Sequence, residues 1–235
     1  MDSRATELRL ALLLGAILSG LFVAWPEIDL AASGLFYRDG AWLLPRESPW
    51  LVLPYRGTPR LGQAVVLAIA MLWILGFSQH FPRIKARHGI LGFLLAGALA
   101  GPVALVDLGL KDHSGRARPI NVQAFGGEKR FTPAFVPADQ CRKNCAFVSG
   151  HVATASFLMA FGWLGAPRVR RRWLGASIAV AAAMGLCRIV PGGHFLSDVV
   201  FAWFAVYLSL WLTEWVLRRL GALPATAVPT ATPPG

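Results

Sequence analysis

Three short clusters in this sequence hold residue types able to bind and transfer a phosphoryl group. The first is Lys111-Asp-His-Ser-Gly-Arg-Ala-Arg118-Pro119, the second Val148-Ser149-Gly150-His151, and the third runs from Arg188 through His194 to Asp198. Lys111, Arg118 and Arg188 offer cations, two of them guanidinium forks that match phosphate oxygens. Ser149 and Gly150 stand where a helix is expected to begin, and helix starts hold anions through free N–H groups and the helix dipole. Phosphoryl transfer also needs a nucleophile and a proton donor for the leaving oxygen, and His151 and His194 are available for those roles. His194 and Asp198 are four apart, so on a helix they share a face. The carboxylate can then fix the imidazole tautomer that leaves the other nitrogen free to attack. This favours His194 as nucleophile and His151 as general acid; spacing alone leaves the reverse assignment open. A metal site built from Asp112, His113, His151, His194 and Asp198 is the competing reading. The surrounding positive charge would repel a divalent cation, and no Cys/His pair has zinc-ligand spacing. Neither a metal nor another cofactor is expected.

Bringing these clusters together falls to apolar helices. The chain is 55% hydrophobic and only 15% charged, well below the roughly one quarter charged that soluble domains carry. The apolar residues fall into six runs, at about 8–25, 61–78, 89–109, 148–166, 173–190 and 195–217, each near the roughly 20 residues that cross a bilayer as a helix. The expected class is therefore an all-α, polytopic membrane protein with six spans. The first run is expected to stay as a helix, because Ala24-Trp25-Pro26 is a poor signal-peptide cleavage site. One domain is expected over 1–223, with the Pro/Thr/Ala tail at 224–235 disordered. The formal charge of +11 does not point to nucleic acid, because no basic stripe with interleaved aromatics accompanies it.

No span separates the first two clusters and two separate the second from the third, so all three emerge on one membrane face. The links at 79–88 and 167–172 are basic without acids, as is the Arg218-Arg219 pair, and such links read as cytoplasmic. That puts both termini inside and the clusters outside. The external segment 110–147 carries Cys141 and Cys145, in a compartment where disulfides persist; their spacing permits a bridge without requiring one. The other external segment, 26–60, reads equally as an interfacial amphipathic piece or a packed loop.

The ordered motifs K-x6-R-P, S-G-H and R-x5-H-x3-D resemble those of the type 2 phosphatidic acid phosphatase (PAP2) family, and the six-span layout resembles its bacterial membrane members. Val148 stands where the family usually has Pro, and Cys187 where it usually has Ser; the latter exchange removes a potential phosphate hydrogen bond. The resemblance implies a PAP2-type helical bundle and a metal-independent phosphoric monoester hydrolase. It implies a phosphohistidine on His194, oriented by Asp198, with His151 protonating the leaving group. Lys111, Arg118, Arg188, Ser149 and Gly150 would hold the phosphate. The Phe125-Gly126-Gly127 segment and the cysteine pair look loosely like the family's bacterial lipid A phosphatases. Expected substrates are lipid A, undecaprenyl pyrophosphate, phosphatidylglycerol phosphate or phosphatidic acid, met at the periplasmic face of a bacterial inner membrane. A phosphotransferase would share the first chemical step, and a non-catalytic lipid scaffold would predict loss of a histidine. A vanadate-dependent haloperoxidase shares the motifs but is soluble and larger.

Overall fold

A backbone in hydrocarbon must satisfy its own N–H and C=O groups, which is why the apolar runs fold as helices. The computed structural model describes residues 3–223. Along it run α1 (Ser3–Ala24), α2 (Glu27–Gly34), α3 (Pro49–Leu75), α4 (Pro82–Lys85) and α5 (His88–His113). They are followed by α6 (150–163), α7 (Pro167–Ile189) and α8 (Leu196–Arg219). Among the described residues the only strands are Tyr37–Arg38 and Ala41–Trp42, an antiparallel ribbon with Tyr37 opposite Trp42. The expected all-α class holds; the expected disordered tail lies outside the described residues.

Among the described residues five helices, α1, α3, α5, α7 and α8, are long and apolar enough to cross a membrane, rather than six. The run expected at 148–166 yields only α6, whose 14 residues rise about 21 Å against a core of about 30 Å. It is cut short at both ends. Ser149 is extended before it, and Leu164–Ala166 turns directly into Pro167 at the head of α7. A second difference lies at α3, which starts at Pro49 rather than 61. Pro49 occupies the first turn, where its missing N–H costs nothing, and the helix continues through Pro54 and Pro59. Residues 26–60 form α2, the ribbon and the start of α3. Inside α5, Leu99–Leu110 is wound as a π-helix containing Pro102. Such local re-winding satisfies backbone groups that a proline frees within a membrane.

At the centre stands α8. Ala202, Val206, Tyr207 and Leu210 are buried, whereas Leu10, Leu13 and Ile17 of α1 and Leu61, Leu67, Met71 and Ile74 of α3 point outward. So broad an apolar exterior belongs against lipid, not water. Lipid supplies no hydrophobic drive between helices, so close packing by small residues must do it. At Gly97 a Cβ would lie 2.6 Å from Leu210 Cδ2, and at Gly101 one would strike Ser209; the missing side chains let α5 lie directly on α8.

Buried ion pairs fasten the end away from Asp198, about 24 Å along α8 at Glu214. Glu214 accepts from Arg4, from Arg218 and from the Trp163 indole, tying α1, α6 and α8. Glu7 accepts from Arg170 and Tyr207, and Arg170 lies over the Trp163 ring at 3.8 Å. Arg170, read from sequence as part of a solvated basic link, is instead buried with a carboxylate partner. Trp163 closes α6 against this cluster, so the short helix still reaches from the His151 end to the opposite one.

Replacing Gly101 with Leu should cost about 1–3 kcal/mol by overpacking the α5–α8 contact. Thermal unfolding in detergent should show a lowered midpoint, with Gly101→Ala falling between Leu and wild type.

Candidate active site

The three sequence clusters are laced together by main-chain hydrogen bonds. Cys145 N–H donates to the Lys111 carbonyl at 2.9 Å, Ala146 N–H to Arg116 at 2.9 Å and Ile120 N–H to Gly192 at 3.0 Å. Ser149 N–H donates to the Asp198 carbonyl at 3.0 Å. Connections at one end of α5, α6, α7 and α8 thus form a single site.

His194 sits between α7 and α8 and is buried. Its Nδ1 donates to the Ala146 carbonyl at 2.8 Å, and Asp198 Oδ2 lies 3.5 Å from the same nitrogen. The closer tautomer-fixing partner is therefore a carbonyl, with the carboxylate behind it. Either way Nδ1 carries the proton and Nε2 has a free lone pair. Asp198 lies in the first turn of α8, where its Oδ2 accepts the Phe195 N–H at 2.7 Å. Burial lowers the His194 pKa to about 4; Asp198 pulls it up, and Arg118 and Arg188 push it down.

His151, in the first turn of α6, donates from Nε2 to the Tyr55 carbonyl at 2.9 Å and stacks on the Tyr55 ring at 4.9 Å. The same ring supports the Arg188 guanidinium at 4.5 Å. Arg188 is buried, and its Nε has no hydrogen-bond partner among the described residues. The Ser149 hydroxyl is likewise buried and unpartnered. Burying such donors is costly unless something accepts from them. Lys111 reaches Asp107 Oδ1 at 3.1 Å and borders Gly150, where a Cβ would come within 3.0 Å of Nζ. Lys111, Arg118 and Arg188 all act electrostatically on His151.

Three supports of this site were missed in the sequence. Arg116 is buried, donating to Asp198 Oδ1 at 2.6 Å, Asp29 Oδ2 at 2.7 Å and Ser197 Oγ at 2.8 Å. Asp29, on α2, also accepts the Ser197 N–H and hydroxyl; burial raises its pKa while Arg116 opposes the rise. Asn144 accepts from Arg118 through its carbonyl at 2.8 Å and its side-chain oxygen at 3.1 Å. Its own N–H donates to Asp112. Cys141 and Cys145 are joined as a disulfide and frame this turn. The position of Arg116 inside the first motif was the one available clue; nothing local to Asp29 or Asn144 marks them.

Arg116→Gln should destabilise the fold by about 3–5 kcal/mol, because it strands two buried carboxylates. Asp29→Asn should restore part of that loss, and a double-mutant cycle on unfolding midpoints should show the coupling.

Residues 89–221 match the PAP2 superfamily. The lipid A 4'-phosphatase of Francisella tularensis subsp. novicida (strain U112) is 37% identical over 204 residues, covering 84% of this chain and 90% of that protein. That of Rhizobium leguminosarum is 34% identical over 223 residues, covering 82% and 91%. The Rhizobium etli (strain ATCC 51251 / DSM 11541 / JCM 21823 / NBRC 15573 / CFN 42) protein of the same name is 32% identical over 224 residues, covering 82% of each. No solved structure matches the chain. The family match takes in every motif residue of the site, and the three relatives extend the likeness over most of the chain: this multi-pass membrane protein belongs to the PAP2 superfamily and is a lipid phosphatase.

Proposed function

We propose that this chain hydrolyses a phosphate monoester of lipid A through a phosphohistidine on His194, at the periplasmic face of a bacterial inner membrane. The observation that carries the mechanism is the disposition of His194. Its Nδ1 is occupied by Ala146 and backed by Asp198, and the ring is buried within the field of Arg118 and Arg188. The relatives' names support the choice of lipid.

In the first step Nε2 attacks phosphorus while the bond to the sugar oxygen breaks. His151 gives that oxygen its proton, so the lipid departs as an alcohol. The imidazolium forming on His194 is stabilised by Asp198, itself held by Arg116. Lys111, Arg118, Arg188, the Ser149 hydroxyl and the N–H groups at Gly150 carry the charge on the phosphoryl oxygens. In the second step water gives a proton to His151 and attacks the phosphohistidine. Nε2 leaves with its electron pair, and inorganic phosphate is released. Charge stabilisation falls to fixed cations and donors, so the reaction needs no metal. The outward orientation is supported by the Cys141–Cys145 bridge beside the site and by the basic Arg83, Lys85 and Arg87 around α4.

Detergent-purified protein should release phosphate from lipid A with EDTA present. His194→Ala should reduce release to background, and His151→Ala should lower kcat by about 10²–10⁴-fold. Inhibition by EDTA that zinc or magnesium reverses would overturn the metal-free step. A neutral His194 is required for attack, so its acid limb in kcat/KM should lie near pH 4, the pKa that burial sets, and not near the ordinary histidine value; the protonated His151 that the first step needs gives an alkaline limb, because burial and then Arg188 lower its pKa to about 4 as well. An acid limb near pH 6.5 would remove His194 from the nucleophile's role.

A further inference from the structure

Next to the catalytic residues, on the far side of Tyr55, lies a cleft of about 490 Å³. Its walls include Arg46, Arg56, Arg188, Tyr55, Cys187 and Glu47. Arg46 lies between the ribbon and α3, and Arg56 is in the early turns of α3. Neither guanidinium has a hydrogen bond or carboxylate partner among the described residues. Glu47 contributes the one acidic wall but pairs with neither arginine. Three guanidiniums against one carboxylate leave the cleft positive. Arg46 is close enough to help lower the Arg118 pKa, after burial, so the cleft and the catalytic cradle share one electrostatic field. They also share a wall. The Tyr55 carbonyl holds His151, its ring supports Arg188, and the buried, unpartnered Nε of Arg188 lies on the boundary.

Lys111, Arg118 and Arg188 already suffice for the phosphate that meets His194. Arg46 and Arg56 are surplus to it, and like charges gathered in a cleft repel unless an anion joins them. We propose that this cleft is a second anion subsite, which takes another phosphate of the same lipid headgroup while the scissile phosphate occupies the catalytic cradle. The proposal rests on the lipid phosphatase reading above and adds a basis for selectivity. The enzyme would prefer a headgroup with two phosphates set apart over one with a single phosphate. Cys187, the residue that departs from the family's usual Ser, faces this cleft, where a thiol makes only weak hydrogen bonds.

The test compares lipid A bearing two phosphates with the same lipid lacking the phosphate that is not released. Wild-type protein should show a lower KM for the two-phosphate lipid. Arg46→Gln/Arg56→Gln should raise that KM about ten-fold or more, hold kcat, and erase the preference. Equal KM values in wild type, or an equal change for both lipids, would overturn the subsite. Should wild type release phosphate from neither lipid, the functional reading fails on its own. Binding of the two lipids to His194→Ala protein then decides the subsite. A preference for two phosphates that Arg46→Gln/Arg56→Gln abolishes supports it, and no preference overturns it.

Discussion

Arg116 is the point on which the catalytic end of this protein turns. One buried guanidinium bridges Asp29 on α2, Ser197 and Asp198 at the start of α8, and the Thr132 carbonyl in the long external segment. Placing a cation where water cannot reach is expensive, and the cost is met only when its donors find acceptors. Here Nε and both terminal nitrogens have partners, and the Phe195 ring lies 4.4 Å beneath the guanidinium. The result is more than fastening. With Arg116 on Oδ1 and the Phe195 N–H on Oδ2, Asp198 cannot swing away from His194. His194, in the loop between α7 and α8, is thereby held through Asp198 by a residue from the loop after α5 and one from α2.

The bilayer imposes the second constraint. A lipid substrate keeps its chains in hydrocarbon, so its headgroup can meet only residues at a membrane edge. This chain gathers its polar site where α5 and α7 end and α6 and α8 begin, and leaves broad apolar faces on α1 and α3. Close helix contact at Gly97 and Gly101 keeps α5 on α8. The opposite end is secured by Glu7 and Glu214, so displacement of one helix would break a buried ion pair. The external segment completes the site through the disulfide-framed turn at Asn144, which fixes the Arg118 side chain by two hydrogen bonds.

What could be read from sequence was whatever depends on local spacing and on counting crossings. Lys111, Arg118, Ser149, Gly150, His151, Arg188, His194 and Asp198 do converge, although α6 is shorter than the expected span, because α6 and α7 run out and back as a pair and main-chain hydrogen bonds join the loops at one end. Span length was less legible at α6. An apolar run of ordinary length at 148–166 gives no sign that Ser149 stays extended or that the helix ends at Trp163. The start of α3 was hidden by its prolines, which read as loop and serve as first-turn and tolerated interior residues. Partners distant in sequence were not legible at all. Asp29 meets Arg116 across 87 positions, and Arg170 meets Glu7 across 163. No periodicity or motif encodes such a pairing. Only the folded backbone sets these groups side by side.

The electrostatics of the site then account for its selectivity toward anions. Burial makes protonation of His194 costly, and Arg118 and Arg188 add to that cost, so the imidazole is neutral over the physiological range. Those same cations repel one another while the cradle is empty, and Arg188 and Ser149 each keep a buried donor without an acceptor. A phosphate relieves both penalties at once, by supplying oxygens to the donors and negative charge among the cations. In the proposed transfer to Nε2, positive charge would develop on His194, and the Asp198 carboxylate lies 3.5 Å from its Nδ1. Binding energy and catalytic stabilisation therefore draw on one arrangement. On the proposed mechanism the cations hold the group being transferred, and the carboxylate, fixed by Arg116, faces the charge that transfer creates.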